Sequence, residues 1–227
     1  MSESDGRGRQ SRDRDREMGV LRSGRAASRW YEYVSNWYEP LVADVFWPER
    51  LQRKILARLD VGGRDRVLDV GCGTGLTSQY LGERAGCIDA IDLSDDQLQQ
   101  AADSDEIRFV RGDAHHLPYA PDTFDAVVSV GAILYFSAPA TALAEARRVT
   151  KPGGELLVAG FNRPSVPSSV PIENWAHAVT APLFFTYDRE DARQLFTEAG
   201  WDQVESELTG PVWHPRLALV TTAKATG

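Results

Sequence analysis

The sequence predicts an α/β fold: a doubly wound, mostly parallel seven-stranded sheet with helices on both faces and an antiparallel last strand. Three observations carry this. From Arg66 onward, short apolar runs alternate with helical segments of about ten residues, the pattern of parallel strands joined by crossover helices. The run Val67-Leu68-Asp69-Val70-Gly71-Cys72-Gly73-Thr74-Gly75 leaves a buried strand, turns tightly and enters a helix. The last two strand-like runs have no helix between them, as in an antiparallel hairpin.

The elements follow in order. Residues 1–27 are mostly Ser, Gly, Arg, Asp and Glu and cannot offset their ordering entropy, so a disordered basic tail is expected. The run from Trp30 to Leu41 places Trp30, Tyr33 or Val34, Trp37 and Leu41 on one helical face, an aromatic cap to a domain spanning 28–227. A second helix fits Pro48 to Leu59, with Leu51, Ile55, Leu56 and Leu59 on one side and Gly62-Gly63 beyond it. Val67–Val70 is the first strand, and Thr74–Glu83 a helix. Cys87–Ile91 is a strand, and Ser94-Asp95-Asp96-Gln97 is a capping box opening a helix to Ala102. Ile107–Val110 and Phe124–Val130 are strands. Pro139–Val149 is a helix ended by Lys151-Pro152-Gly153-Gly154. Glu155–Ala159 is a strand, Asp188 caps a helix stopping at Ala199-Gly200, and Val204–Leu208 and Leu217–Thr222 are the final strands. Between them a lid-like insertion near 161–187 holds Pro164, Pro167, Pro171 and Pro182 with Trp175, Phe184 and Phe185. With Trp30, Tyr31 and Tyr38 it could line an apolar pocket.

Composition narrows the function. The chain has 227 residues, enough for one self-sufficient core. No run approaches the ~18 apolar residues of a membrane span, and the first residues lack the apolar core of a secretory signal. Two cysteines, Cys72 and Cys87, suit neither a disulfide framework nor zinc spacing; a reducing, cytoplasmic setting is expected. Net charge is −8, which disfavours generic nucleic-acid binding. Residues 1–29 nonetheless carry eight arginines against five acids, so an RNA- or lipid-binding arm stands beside the reading of a solvated tail.

The glycine loop is the sharpest signal. Its spacing is G-x-G-x-G; a dinucleotide fingerprint needs glycine where Leu76 stands, and no Gly-Lys-Ser/Thr follows for a Walker loop. Asp92 ends the second strand, 21 residues beyond Gly71, where a carboxylate can accept two hydrogen bonds from a ribose. Asp113 follows the third strand at the edge of the expected crevice. Each acid singly could be a cap or a turn. Three on successive strands, with Asp69 inside the first, are harder to explain so.

This combination resembles the class I S-adenosylmethionine-dependent methyltransferases, over about residues 28–223. The resemblance rests on Val67–Gly75, Asp92, Gly112-Asp113-Ala114 with Leu117-Pro118, Phe124–Ser129, and Glu145–Val149 leading to Lys151–Gly154. It implies that Asp69 and the backbone of Gly71, Cys72, Gly73 and Gly75 hold the methionine part of the cofactor. It implies that Asp92 binds the ribose, Leu93 packs on the adenine, and Asp113 with the Ala114 amide meets the adenine edge. Ser129 and Val130 would lie beside the transferable methyl; core packing is the alternative for Leu93 and Val130. Gly131-Ala132-Ile133-Leu134-Tyr135-Phe136, the opening Trp37-Tyr38-Glu39 and the ending Gly210–His214 are similar to the prenylated-benzoquinol methyltransferases, which implies C-methylation of a prenylated quinol or phenol.

Displacement at a sulfonium needs an aligned, activated nucleophile shielded from water. Tyr135 is the first candidate substrate contact, and His177 or His214 the candidate base; His115 and His116 would line the adenine edge or the surface. For each, a structural role is the competing reading. O- or N-methylation of a polar or natural-product molecule is the alternative activity. A nucleic-acid methyltransferase or a non-catalytic cofactor-binding module is the alternative class. Peripheral membrane contact would accompany a lipid-like acceptor.

Overall fold

The computed structural model describes residues 47–101, 104–162, 187–211 and 216–226. The tail, the aromatic cap, almost all of the insertion, and both His177 and His214 lie outside the described residues.

Helix α1 (Glu49–Leu56) leads into strand β1 (Arg66–Val70), helix α2 (Leu76–Gly82), β2 (Cys87–Asp92), α3 (Asp95–Leu98) and β3 (Ile107–Arg111). Strand β4 (Phe124–Val130), a 3₁₀ turn (Ile133–Tyr135), α4 (Pro139–Val149), β5 (Thr150–Phe161), α5 (Arg189–Glu198), β6 (Asp202–Thr209) and β7 (Ala218–Lys224) complete the order. The seven strands lie as β3-β2-β1-β4-β5-β7-β6. Strands β1 to β5 pair in parallel, and β7 runs antiparallel to both β5 and β6. The order reverses between β1 and β4, so the crevice opens where the glycine loop leaves β1.

The strands are buried on both faces, as parallel strands must be. Leu68, Val70, Val127, Leu156 and Val158 face α4 and α5, which contribute Leu143, Ala146, Val149 and Phe196. Val67, Ile88, Ala126, Val128 and Leu157 face α1 and α2, which contribute Leu51, Ile55 and Leu81. Each large side chain so buried contributes about 1.5–3 kcal/mol. Trp201, among the most buried residues, also donates its indole N–H to the Leu143 carbonyl at 3.0 Å, pinning α4 beside β6.

Three local expectations differ from the structure. The helix after the glycine loop starts at Leu76, because Gly75 takes φ +82° as its N-cap. Helix α3 ends at Leu98 rather than Ala102, and its capping box is half made. The Ser94 hydroxyl accepts from the Gln97 amide at 3.4 Å, but the Ser94 N–H donates to Asp92, and the Gln97 side chain is buried without a partner. Residues 151–154 do not close α4 as a free turn. They enter β5 through a register shift, with Gly153 at φ +83° and Gly154 accepting from the Ala225 N–H at 2.9 Å.

Candidate active site

Tight packing under the loop fixes its path. Gly71 has φ +73°, and a Cβ there would collide with the Ala132 methyl. At Gly75 a Cβ would fall 2.7 Å from the Phe109 ring. Glycine is required at both for conformation and for space. Helix α2 is braced from α1: the Thr77 hydroxyl donates to Gln52 Oε1 at 2.9 Å, and Gln52 Nε2 donates to the Trp47 carbonyl at 2.9 Å.

The loop amides are already engaged. Gly71 and Cys72 donate to the Ile91 carbonyl at 2.7 and 3.1 Å, Gly73 to Asp92 Oδ2 at 2.8 Å, and Gly75 to the Cys72 carbonyl at 2.9 Å. Cys72 is buried, which pushes its thiol far above the ordinary range. These four amides hold the loop's path and do not await an anion.

Among the described residues the two acids beside it meet no cation. Asp69 is 1% exposed and accepts from the Ser78 hydroxyl at 2.6 Å. Burial pushes its carboxyl up to about 7, Ser78 opposes this, and the charge of Asp92 adds to it. Asp92 accepts from Gly73 through Oδ2 and from the Ser94 N–H through Oδ1 at 2.9 Å. Burial raises its carboxyl too, against the pull of the Ser94, Gly73 and Leu93 amides. Ser94 and Gly73 take one position on each Asp92 oxygen, and the carboxylate keeps capacity to accept from a further donor. Beside it Leu93 is 56% exposed, the large hydrophobe left in solvent among the described residues. A ribose diol with a flat aromatic base fits this pairing of acceptor and apolar platform.

Asp113 sits at the same rim, after β3. Burial raises its carboxyl, but hydrogen bonds from the His115 backbone and ring and the neighbouring His115 and His116 charges outweigh that and hold it below the ordinary range. The His115 N–H and ring Nδ1 lie 2.9 and 2.6 Å from Asp113 Oδ1. Ala114 packs against the core edge next to it.

The opposite wall comes from the end of β4. Gly131 takes φ +78° and faces the Trp47 indole, which stacks on Phe161 at 5.8 Å. The chain then crosses the glycine loop at Ala132 and forms the 3₁₀ turn holding Tyr135. Tyr135 is half-buried against the core, and Phe136 borders Gly71. Val130 packs on the α1–α2 face. Ser129 lies two residues from Val127 and opposite Val158, so it shares the α4 face; its hydroxyl is buried without a partner.

The structure thus gathers Asp69, Gly71, Cys72, Gly73, Gly75, Asp92, Leu93, Asp113, Ala114, Val130 and Tyr135 at the carboxyl ends of β1 to β4. Sequence reasoning missed Ser78 as the partner of Asp69, Trp47 as the floor under Gly131, and the inward turn of His115. Ser78 was findable, since it sits on the buried face of α2 one turn past the loop.

Residues 68–158 match the family model described as a methyltransferase domain. Over 208 residues the chain is 29% identical to the 2-methyl-6-phytyl-1,4-hydroquinone methyltransferase 2, chloroplastic, of Oryza sativa subsp. japonica, covering 87% of this chain and 58% of that one. Over 192 residues it is 36% identical to the demethylmenaquinone methyltransferase of Corynebacterium urealyticum, covering 74% and 80%. The chain spans about three fifths of the length of the plant relatives. Among solved structures, Haemonchus contortus phosphoethanolamine N-methyltransferase 2 in complex with S-adenosyl-L-methionine shares the fold, with a TM-score of 0.67 at 16% identity over 81% of this chain and 54% of that one.

Proposed function

This chain belongs to the class I S-adenosylmethionine-dependent methyltransferases and resembles their quinone methyltransferases, and from that membership we propose that it methylates a small hydrophobic hydroquinone or phenol at a ring carbon. The observation that carries the reading is a crevice with two buried carboxylates, Asp69 and Asp92, that meet no cation among the described residues, beside the exposed Leu93. S-adenosylmethionine fits that donor set: a diol for Asp92, an adenine for Leu93, and positive charge for the acidic end. When bound it supplies a methyl group already activated on a sulfonium.

Each residue then has a task. Asp92 orients the ribose with its remaining capacity to accept. Leu93 covers the adenine, and Asp113 with the Ala114 amide meets its edge. The loop from Gly71 to Gly75, its amides engaged, offers carbonyl oxygens to the ammonium of the methionine part. Asp69 acts through its charge from behind the loop. Val130 and the backbone at Ser129 border the methyl. Tyr135, on the wall across from the loop, contacts the acceptor ring and excludes water. His177 or His214 takes the phenolic proton as the ring carbon becomes nucleophilic; as the methyl leaves sulfur for that carbon, the carbon's own hydrogen must then depart as a proton while the oxygen regains one, so one proton is released overall.

The acceptor class comes from the relatives, whose names specify prenylated or menaquinone-type rings. Among the described residues no helix is long and apolar enough to cross a membrane. For a lipid-like acceptor the reading is peripheral membrane contact by a cytoplasmic protein. The basic tail and the insertion are assigned to that contact and to covering the acceptor, respectively.

The test is turnover of the purified chain with methyl-labelled S-adenosylmethionine and paired hydroquinones, with and without a prenyl tail. Mass gain on a ring carbon, with a lower KM for the prenylated member, is expected. Label on oxygen or nitrogen of a polar acceptor would replace this reading with the O- or N-methyltransferase alternative.

A further inference from the structure

We propose that His115 is a positioning residue: as the Nδ1–H tautomer its ring clasps Asp113, at the adenine edge, to Ala138, at the exit of the acceptor wall, and so couples the two sides of the crevice. The inference rests on the methyltransferase reading for its functional half, while its geometric half stands without it.

The tautomer follows from the partners. Ring Nδ1 lies 2.6 Å from Asp113 Oδ1, and ring Nε2 lies 3.2 Å from the Ala138 backbone nitrogen. A backbone N–H can only donate, so Nε2 must accept. A carboxylate can only accept, so Nδ1 must carry the proton. The second ring nitrogen is therefore not available to a ligand at the adenine edge. It holds the residue that caps α4.

The ring joins segments distant in sequence. Asp113 follows β3, whereas Ala138 closes the segment that begins at Gly131 and carries Tyr135. Between them the His115 ring meets Phe136 edge-on at 5.9 Å and 69°. Phe136 in turn borders Gly71: a Cβ built on that glycine would lie 3.9 Å from its ring. Contacts thus run from Asp113 through His115 to Phe136, whose ring lies beside the glycine loop. Among the described residues the ring meets Asp113 on its own turn, the Ala138 N–H and the Phe136 ring. A proton on Nε2 would face the Ala138 N–H and break that contact.

Two substitutions separate the halves of the clasp. His115→Asn keeps a side-chain donor near Asp113 but cannot reach Ala138. His115→Ala removes both. With the full chain, the His115→Ala variant is expected to bind S-adenosylhomocysteine about tenfold more weakly, the scale of one charge-assisted hydrogen bond. The His115→Asn variant is expected to stay within about threefold of wild type in that affinity while its acceptor KM rises about tenfold. The ¹⁵N shifts of labelled histidine report the tautomer directly: a pyrrole-type Nδ1 and a pyridine-type Nε2 are expected at His115. The reverse tautomer would overturn the clasp. So would two variants whose cofactor affinity and acceptor KM both stay within twofold of wild type, or fall together without the split. Wild-type protein that shows the expected tautomer but does not bind S-adenosylhomocysteine would overturn the methyltransferase reading, and the coupling with it, while leaving the geometry intact.

Discussion

The two ends of the parallel sheet treat a buried carboxylate in opposite ways. At the amino end of β2, Asp89 is 1% exposed and meets two guanidiniums, Arg66 at 2.5 Å and Arg108. At the carboxyl end of β1, Asp69 is equally buried and receives one hydroxyl from Ser78, with a second acid, Asp92, acting on it. A buried carboxylate is costly unless paired. The far end meets that cost within the fold. The crevice end leaves it standing, and in this account a cationic ligand relieves it. The asymmetry separates a stabilising ion cluster from a binding site more clearly than the presence of either acid does.

Four measurements can break or sharpen that contrast, in descending order of effect. Asp89→Ala should lower unfolding free energy by about 2–4 kcal/mol in urea, because two charge-assisted pairs vanish at once. The same variant's folded fraction should bind cofactor as wild type does; a large loss of affinity would erase the distinction between the two ends. Asp92→Ala should do the opposite, weakening cofactor binding by about 1.5–3 kcal/mol in calorimetry with little change in stability. Unchanged affinity would remove Asp92 from the ribose.

Asp69 supplies the pH dependence. Its native carboxyl titrates at about 7 against an ordinary 3.8, so the folded state holds its proton to higher pH than the unfolded chain. Stability from this group is complete below about pH 4, erodes as pH rises from there, and is lost above about 7. Asp69→Asn should therefore leave the melting temperature nearly unchanged at acid pH and raise it at pH 8.5. A melting temperature unmoved by the substitution at pH 8.5 would mean that the native charge already has a counter-ion. Smallest is Tyr135→Phe, where loss of one hydroxyl should raise acceptor KM by about two- to fivefold and leave cofactor affinity alone. An equal loss of cofactor affinity would move Tyr135 to the other side of the crevice.

The same contrast explains what the sequence disclosed. The mostly parallel sheet and the glycine loop at its crevice were legible because their determinants are contiguous. Glycines at 71, 73 and 75 and acids after each of the first strands are spaced by the chain itself, and Pro139–Val149 was bounded correctly by its own proline and the β-strand after it. The half-made box at Ser94 was not legible, because the competing acceptor, Asp92, lies outside the four-residue motif. Likewise the pattern Lys-Pro-Gly-Gly reads locally as a turn; its place in β5 depends on Ala225, more than seventy residues later. His115 reads locally as a rim residue, and only Ala138 reveals its inward role. Side chains whose partners come from another layer leave no periodic trace, and the segment after β4 is built from such side chains.

The proposed methyl transfer to a lipid quinol can be followed in whole cells. Cells producing the chain, given methyl-tritiated S-adenosylmethionine, can be split into lipid and aqueous extracts. Label in a lipid quinol, lost in cells producing the Asp92→Ala variant, is the expected result. Label confined to polar compounds, or in neither extract while the purified chain still binds the cofactor, would contradict it.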